Sequence, residues 1–338
     1  MADPGRGRPG SVRPNPPLLE RVAALESLLV RTPTVPLADE ATGCTLWVKL
    51  EYLQPSGSTK DRLAVFVLAD AVRTGRVHEG SLIVEASSGS TSIAFAMACA
   101  RLGLGFRAVM PEGVSGERLL IIRRYGGEVV LTGRADGVAG AVRATEAMAA
   151  ADPDVHLPRQ FANPANVEAH ARTTGPELLA DVGRPLDGFV AGVGTAGTLM
   201  GVARAIRAAE SGAGPGHACR IAAVRPTTGT CFAGQPEVCA GFSTGIPGVV
   251  EGMSTLLDPA AVGLEADLDV ADDAALGAAR ELCGHGFPVG ISSGLNLAGA
   301  RLLAASLGPG HHVGTVLCDR MERYFSAGLF DDLSAPAR

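Results

Sequence analysis

Of the 29 basic side chains in this 338-residue chain, only Lys49 and Lys60 are lysines. A codon bias toward arginine accounts for the ratio, and it draws attention to the positions where lysine is kept. Arginine cannot replace lysine where a deprotonated amine must act as a nucleophile. Lys49 sits in an alternating strand-like run and is read as structural. Lys60 lies in Gln54-Pro55-Ser56-Gly57-Ser58-Thr59-Lys60-Asp61-Arg62, ahead of a helical pattern whose apolar face includes Leu63, Val65, Phe66 and Leu68. The positive end of a helix dipole disfavours an ammonium at that place and lowers its pKa. An uncharged lysine in a pocket is what Schiff-base chemistry needs. Taken alone, Lys60 also reads as a surface lysine; the scarcity of lysine and the hydroxyl-rich context argue for the pocket.

Three further turns carry chemistry. In Glu85-Ala86-Ser87-Ser88-Gly89-Ser90-Thr91, four hydroxyls and one glycine open a helix. One serine would suffice as an N-cap, and the surplus donors suit a carboxylate or phosphate. In Gly192-Val193-Gly194-Thr195-Ala196-Gly197-Thr198, small residues let backbone N–H groups approach a phosphate. Gly192, Gly194 and Gly197 satisfy GxGxxG, so a dinucleotide site is an alternative. That site would want an acid at the end of the next strand, which here ends in Arg225-Pro226, so a single phosphate fits better. Gly290-Ile291-Ser292-Ser293-Gly294 opens another helix, and Asp319-Arg320-Met321-Glu322-Arg323-Tyr324 follows the last strand. Neither is specific in isolation.

These turns need strands and helices to carry them. Short runs rich in Val, Ile and Leu predict strands at 46–50, 82–85, 106–110, 128–131, 188–191, 220–224, 268–270 and 313–317. Helical patterns lie between them at 92–102, 116–125, 135–151, 199–209 and 272–284. The alternation predicts an α/β fold with parallel sheets and right-handed crossovers. Length suggests roughly two domains. Pro158 and Pro164 mark a boundary near 157–166, and the irregular Gly/Pro-rich zone 226–258 is long enough to be functional. Residues 1–17, rich in Pro, Gly and Arg, read as a tail and not as a secretory signal, so a cytoplasmic protein is expected.

Composition excludes several classes. No apolar run reaches the ~18 residues of a membrane span. A net charge of −6 without a basic stripe argues against nucleic acid. The seven cysteines are scattered without CxxC, which gives neither a disulfide framework nor a metal site. Cys99 and Cys318 lie in apolar runs and read as core.

In this order, the turns resemble the pyridoxal-phosphate enzymes of the cysteine synthase and cystathionine β-synthase family, from about residue 31 to 326. Residues 55–62 match the family's Pro-Ser-Gly-Ser-x-Lys-Asp-Arg, while 87–91 are similar to its Thr-Ser-Gly-Asn-Thr and 194–198 to its Gly-Thr-Gly-Gly-Thr. Residues 160–166 match its Gln-Phe-x-Asn-Pro-Ala-Asn, and 173–177 the Thr-Thr-Gly-Pro-Glu that follows. Residues 290–294 match its Gly-Ile-Ser-Ser-Gly. The resemblance implies fold type II: two three-layer domains with mostly parallel twisted sheets, like the tryptophan synthase β subunit. It implies a tail over 1–20, a smaller substrate-side domain over 53–164, and a larger cofactor-binding domain from 21–52 with 165–338. Lys60 looks like the Schiff-base lysine. Ser87, Ser88, Gly89, Thr91 and Gln160 are implied as the substrate-carboxylate site. Gly194, Thr195, Ala196, Gly197 and Thr198 are implied as the phosphate cup, Ser90 as a cofactor contact, and Ser292 as the side chain facing the pyridine nitrogen. The implied activity is β-replacement on serine, an activated serine of the O-acetylserine type, or cysteine, through an aminoacrylate. A homodimer acting on a small amino acid is expected.

The sequence departs from the family pattern at defined places. Ser90 stands where the family has asparagine. Ala196 replaces a cup glycine, which fits if its φ is negative. Met321 replaces the glycine before Glu-Arg-Tyr, and 226–253 matches poorly outside Gly245-Ile246-Pro247-Gly248. These departures keep a cysteine desulfhydrase or a specialised synthase of a non-protein amino acid as alternatives. A dinucleotide oxidoreductase and a cofactor-binding regulatory pseudoenzyme stand further off.

Overall fold

The computed structural model describes residues 16–87, 89–213, 218–227, 246–249 and 253–333. The chain begins with α1 (Leu18–Glu26), the hairpin β1 (Thr34–Asp39) and β2 (Cys44–Leu50), and α2 (Lys60–Arg73). Alternating elements follow: β3 (Leu82–Ala86), α3 (Ser90–Leu102), β4 (Gly105–Pro111), α4 (Gly116–Arg124), β5 (Glu128–Thr132), α5 (Gly137–Ala151) and β6 (Val155–His156). Helices α6 (Ala165–Ala169) and α7 (Gly175–Val182) then lead to β7 (Gly188–Gly192), α8 (Gly197–Ala213) and β8 (Arg220–Pro226). The chain closes with α9 (Pro259–Val262), β9 (Leu264–Val270), α10 (Asp272–Gly284), α11 (Ile291–Leu307) and β10 (His312–Leu317).

The strands form two sheets. One has six strands in the order β1-β2-β10-β7-β8-β9, parallel except for β1, which runs antiparallel to β2. The other has four parallel strands in the order β5-β4-β3-β6. Central strands such as Gly-Phe-Val-Ala-Gly of β7 are buried on both faces, which is why they read as continuous apolar runs. The edge strand β9 alternates exposed acids with half-buried Leu264, Ala266 and Leu268. That alternation explains why its first residues escape a search for apolar runs. Strand β1 contains Pro36, which an edge strand tolerates, and it escapes the same search.

The expected boundaries change at the N-terminus. A tail to residue 20 is too long, because α1 starts at Leu18. The expected placement of 21–52 with the six-stranded sheet also divides. Leu18, Val22 and Leu25 of α1 pack with Leu63, Val67, Ile93 and Phe95 beside the four-stranded sheet. Among the described residues, no helix is long and apolar enough to cross a membrane.

The registers bring the chemistry to one place. Leu317 pairs with Leu50, so the C-terminal ends of β10 and β2 lie side by side, and Ser58 bridges to Asp319 just beyond them. Strands β3 and β7 end at Ala86 and Gly192, immediately before two further loaded turns. The site therefore sits at the carboxyl ends of parallel strands, where α/β sheets bind ligands.

Candidate active site

A cavity of about 610 Å³ opens between the two sheets, within the range of small-molecule sites. Lys60, Ser87, Gly89, Ser90, Thr91, Gln160, Gly194, Thr195, Ala196, Thr198 and Ser292 line it. Of the residues expected there, Gly197 lies just behind the wall, and Ser88 lies outside the described residues. Most of 226–253 also lies outside them; Ile246 to Val249 form part of the wall.

Lys60 is the first residue of α2, and the two residues after it fix it in place. Asp61 is fully buried and accepts the Ser56 N–H at 2.6 Å as well as the Ser56 hydroxyl. Burial pushes its carboxyl up to about 6, against these donors and the nearby Arg323. Arg62, 1% exposed, donates to Glu51 and Glu177 at 2.7 Å each. Glu177 also takes the Lys49 ammonium at 2.8 Å, so the second lysine is wholly spent inside this buried network. Lys60 Nζ has no ion pair or hydrogen bond among the described residues. It is the lysine amine left free to face the cavity.

Gln160 lines the same cavity. Its Oε1 accepts from the Thr91 hydroxyl at 2.8 Å, and its Nε2 donates to the Ala86 carbonyl at 3.1 Å. A carboxamide nitrogen carries two hydrogens, so one remains for a ligand. Thr91 spends its hydroxyl proton on Gln160, which leaves its backbone N–H, in the first turn of α3, for an anion. Ser87 shapes the turn: its Oγ accepts the Gly89 N–H at 3.3 Å, and its carbonyl accepts the Ser92 hydroxyl at 2.6 Å. Behind Gln160 lies Glu85, 5% exposed, receiving the Ala86 N–H at 3.0 Å and the Gln160 N–H at 3.3 Å. Burial pushes its carboxyl up to about 8 against these donors.

The cup at the start of α8 corrects one expectation. Ala196 has φ +63°, not a negative value. A left-handed alanine costs about 1–2 kcal/mol, and a left-handed residue in a turn is the backbone step from which anion nests are built. Only one other non-glycine residue among those described has positive φ: Arg159 at +53°, next to Gln160. Both strained residues flank the site. A Cβ on Gly194 would lie 2.1 Å from the Gly248 carbonyl oxygen, and one on Gly197 would lie 2.0 Å from Asn166 Oδ1. Asn166 donates to the Gln160 carbonyl at 2.9 Å and to Thr195 Oγ1 at 2.8 Å, so it joins the cup to Gln160. His170 contacts Thr198 Oγ1 at 3.3 Å and Thr174 Oγ1 at 2.8 Å through its two ring nitrogens. Burial, with Arg62 and Lys60 nearby, holds its pKa well below the ordinary value, so the ring is neutral.

Ser292, 8% exposed, opens α11 beside Cys318, whose thiol burial pushes up to about 11. Asn296, one turn on, accepts the Gly192 N–H at 2.7 Å and donates to the Val316 carbonyl at 2.7 Å, tying β7 to β10. Ser90 donates to Asp319 Oδ2 at 2.7 Å and accepts from Arg323 Nη1 at 2.8 Å. Tyr324 donates to the same Asp319 oxygen at 2.7 Å. Motif reading did not single out Glu85, Asn166, His170 or Asn296 as site residues. The signal for Asn296 was available, as a lone amide in an otherwise apolar helix stretch. Glu85 and His170 reveal themselves only through burial.

A free lysine amine, a turn of inward N–H groups at a helix start, and a carboxamide with a spare donor fit an aldehyde-bearing phosphorylated cofactor. The chain matches the family described as "Pyridoxal-phosphate dependent enzyme" over residues 25–319, and it belongs to that family. Its architecture is that of fold type II. It is similar to a cysteine synthase of Staphylococcus aureus, 36% identical over 311 residues, covering 89% of this chain and 95% of that protein. It is also similar to cysteine synthase B of Salmonella typhimurium, at 35% identity over 91% of this chain and 96% of that one. Among solved structures, an O-ureido-L-serine synthase superposes with a TM-score of 0.81 at 34% identity, covering 93% of this chain and 96% of that one. A hydrogen sulfide-producing enzyme of Fusobacterium nucleatum does so with a TM-score of 0.78 at 33% identity, covering 92% of each chain.

Proposed function

We propose that this enzyme catalyses β-replacement on a serine-type amino acid: serine, an O-acylated serine or cysteine. The observation that carries the reading is the unpaired Lys60 amine, facing the same cavity as the spare donor of Gln160. Pyridoxal phosphate, when bound, supplies an electron sink for the charge left at the α-carbon. The chain supplies the rest. The N–H groups from Gly194 to Thr198 hold the phosphate. Ser87, Thr91 and Gln160, with Ser88 and Gly89 of the same turn, hold the substrate carboxylate and fix the α-hydrogen toward Lys60. Lys60 would hold the cofactor through its amine and, in the same place, would take the substrate's α-proton as general base. The β-substituent leaves with its bonding pair, the nucleophile bonds to the β-carbon, and the proton returns to the α-carbon from Lys60. Ser292 is assigned to the pyridine nitrogen; a neutral hydroxyl does not enforce a charged ring, which favours loss of the β-substituent over transamination.

The specialised-synthase reading has a specific support in Ser90. Its hydroxyl proton is committed to Asp319, so this wall differs from one bearing an asparagine. Likeness to an O-ureido-L-serine synthase and to a hydrogen sulfide-producing enzyme supports a shared scaffold serving different products. We further infer a cytoplasmic homodimer. Its smaller substrate-side unit spans about 53–164 together with α1, and its larger cofactor-binding unit comprises the rest. Reduction of the holoenzyme with borohydride, digestion and mass spectrometry test the assignment. The cofactor label is expected on Lys60; a label on Lys49, or none, contradicts it.

A further inference from the structure

One corner of the cavity is not used by the reaction described above. It is built from the residues before α4 and the helix's first turn. Arg118, third in the helix, is 8% exposed and lines the cavity. Its guanidinium lies 5.1 Å from the Tyr324 ring centroid, and its Nε donates to the Arg323 carbonyl at 3.3 Å. Its Nη1 and Nη2 have no hydrogen bond or ion pair among the described residues. The other deeply buried arginines are served otherwise: Arg62 has two carboxylates, and Arg323 donates to Ser90 and to the Ser56 carbonyl at 2.6 Å. Beyond its contacts with Arg323, the Tyr324 ring and the field of Glu117, the Arg118 guanidinium keeps two nitrogens at the cavity with no hydrogen-bond acceptor, a donor pair suited to an oxyanion. Ser115 also lines the cavity, and its buried Oγ has no partner and does not cap the helix it precedes.

Acids nearby do not fill the place. Glu117 gives its carboxylate to Ser326, accepting the N–H at 3.1 Å and the hydroxyl at 2.9 Å. Asp319 is engaged by Ser90 and Tyr324, and Glu112 is exposed on the rim. Arg118 reaches the carboxylate turn only through Arg323 and Ser90. The residues around Arg118 share no hydrogen bond with Gln160, whose partners are Thr91, Ala86, Glu85 and Asn166.

Resting on the β-replacement reading, we propose that Arg118, with Ser115 and the first N–H groups of α4, binds a second oxyanion. This oxyanion is a phosphate or carboxylate carried by the reaction partner. It belongs either to the donor's leaving group or to the nucleophile. The test compares wild type with Arg118→Gln in two arms. One arm uses O-phosphoserine against O-acetylserine, each with sulfide. The other uses O-acetylserine with glutamate against O-acetylserine with sulfide. The variant is expected to lose roughly ten- to hundredfold more kcat/KM with the oxyanion-bearing partner than with its counterpart, mainly through KM. The arm that shows the split identifies the source. Equal losses in both arms would mean that Arg118 only holds the 323–326 segment, and would overturn the proposal. A second measurement needs no variant: inorganic phosphate titrated into wild-type holoenzyme should raise its melting temperature, while Ser115→Ala holoenzyme should respond more weakly. No response in wild type would also overturn the proposal. If no donor gives a replacement product, the β-replacement reading falls, and the phosphate titration still decides whether the corner binds an oxyanion.

Discussion

At the scale of single residues, Lys60 and Lys49 show how one side-chain type is put to opposite uses. Lys49 is enclosed by Glu177 and Asp181, and burial lowers its pKa against the pull of Glu177. Lys60 is left unpaired in the cavity. Ser90 is the residue whose consequence is easiest to measure. An asparagine there would be longer and would lose the hydroxyl that joins Asp319 to Arg323. Losing a charge-assisted bond costs ~1.5–3 kcal/mol, or roughly ten- to hundredfold if felt in one transition state. Ser90→Asn is therefore expected to shift the ratio of replaced product to pyruvate, read with the same donor with and without nucleophile. An unchanged ratio would move attention to residues 226–253. Glu85 gives a pH prediction. Its carboxyl is raised by burial from 4.5 to about 8, so the folded chain keeps a proton there that the unfolded chain has released. Its stabilising contribution is full below about pH 4.5 and is lost as pH rises through about 8. The stability of wild type relative to Glu85→Gln should fall as pH rises from 5 to about 8, by at most about 1.4 kcal/mol per pH unit, and level off above that. A difference that stays flat would show that Glu85 is ionised throughout.

At the scale of elements, the lysine, the serine-rich turn and the cup follow strands and open helices, whereas Ser292 opens α11 after another helix, and these places differ in how far sequence alone could reveal them. The lysine turn, the serine-rich turn and the glycine cup were legible, because unusual residue types cluster just after apolar runs. The backbone of the cup was not. Ala196 adopts a left-handed conformation that alanine disfavours, and only the surrounding contacts impose it. Strand β1 and the first half of β9 were missed because edge strands alternate or carry proline instead of running apolar. Helix α1 was divided between the expected tail and the larger unit, and only its packing on α2 and α3 reveals its place. Gly197 shows why the cup is intolerant. Its missing side chain is occupied by Asn166, which also holds Gln160 and Thr195. Gly197→Ala should therefore weaken both sides of the site, lowering cofactor affinity about tenfold or more and raising KM for the amino acid. Gly197→Asp should do worse, since a larger, charged side chain would be driven against Asn166 Oδ1 and would add negative charge beside the cup. Equilibrium dialysis at limiting cofactor checks this, and unchanged occupancy would remove the cup from the site.

At the scale of the whole molecule, the two sheets meet at their carboxyl edges, and side-chain bridges run between them. Arg62 joins the helix that carries Lys60 to Glu177 on α7, and Arg118 on α4 holds the backbone of Arg323 beyond β10. The cavity lies between these ties. The central claim is that this cavity exchanges the β-substituent of a serine-type amino acid. The most direct test is to incubate holoenzyme with serine, O-acetylserine, O-phosphoserine or cysteine, with sulfide and with amine nucleophiles, and to resolve products by mass spectrometry. The account predicts a β-substituted alanine whose mass follows the nucleophile added, pyruvate and ammonia when none is added, and neither product with Lys60→Ala. A keto acid that retains the donor's β-substituent, or product formation that survives Lys60→Ala, would contradict it.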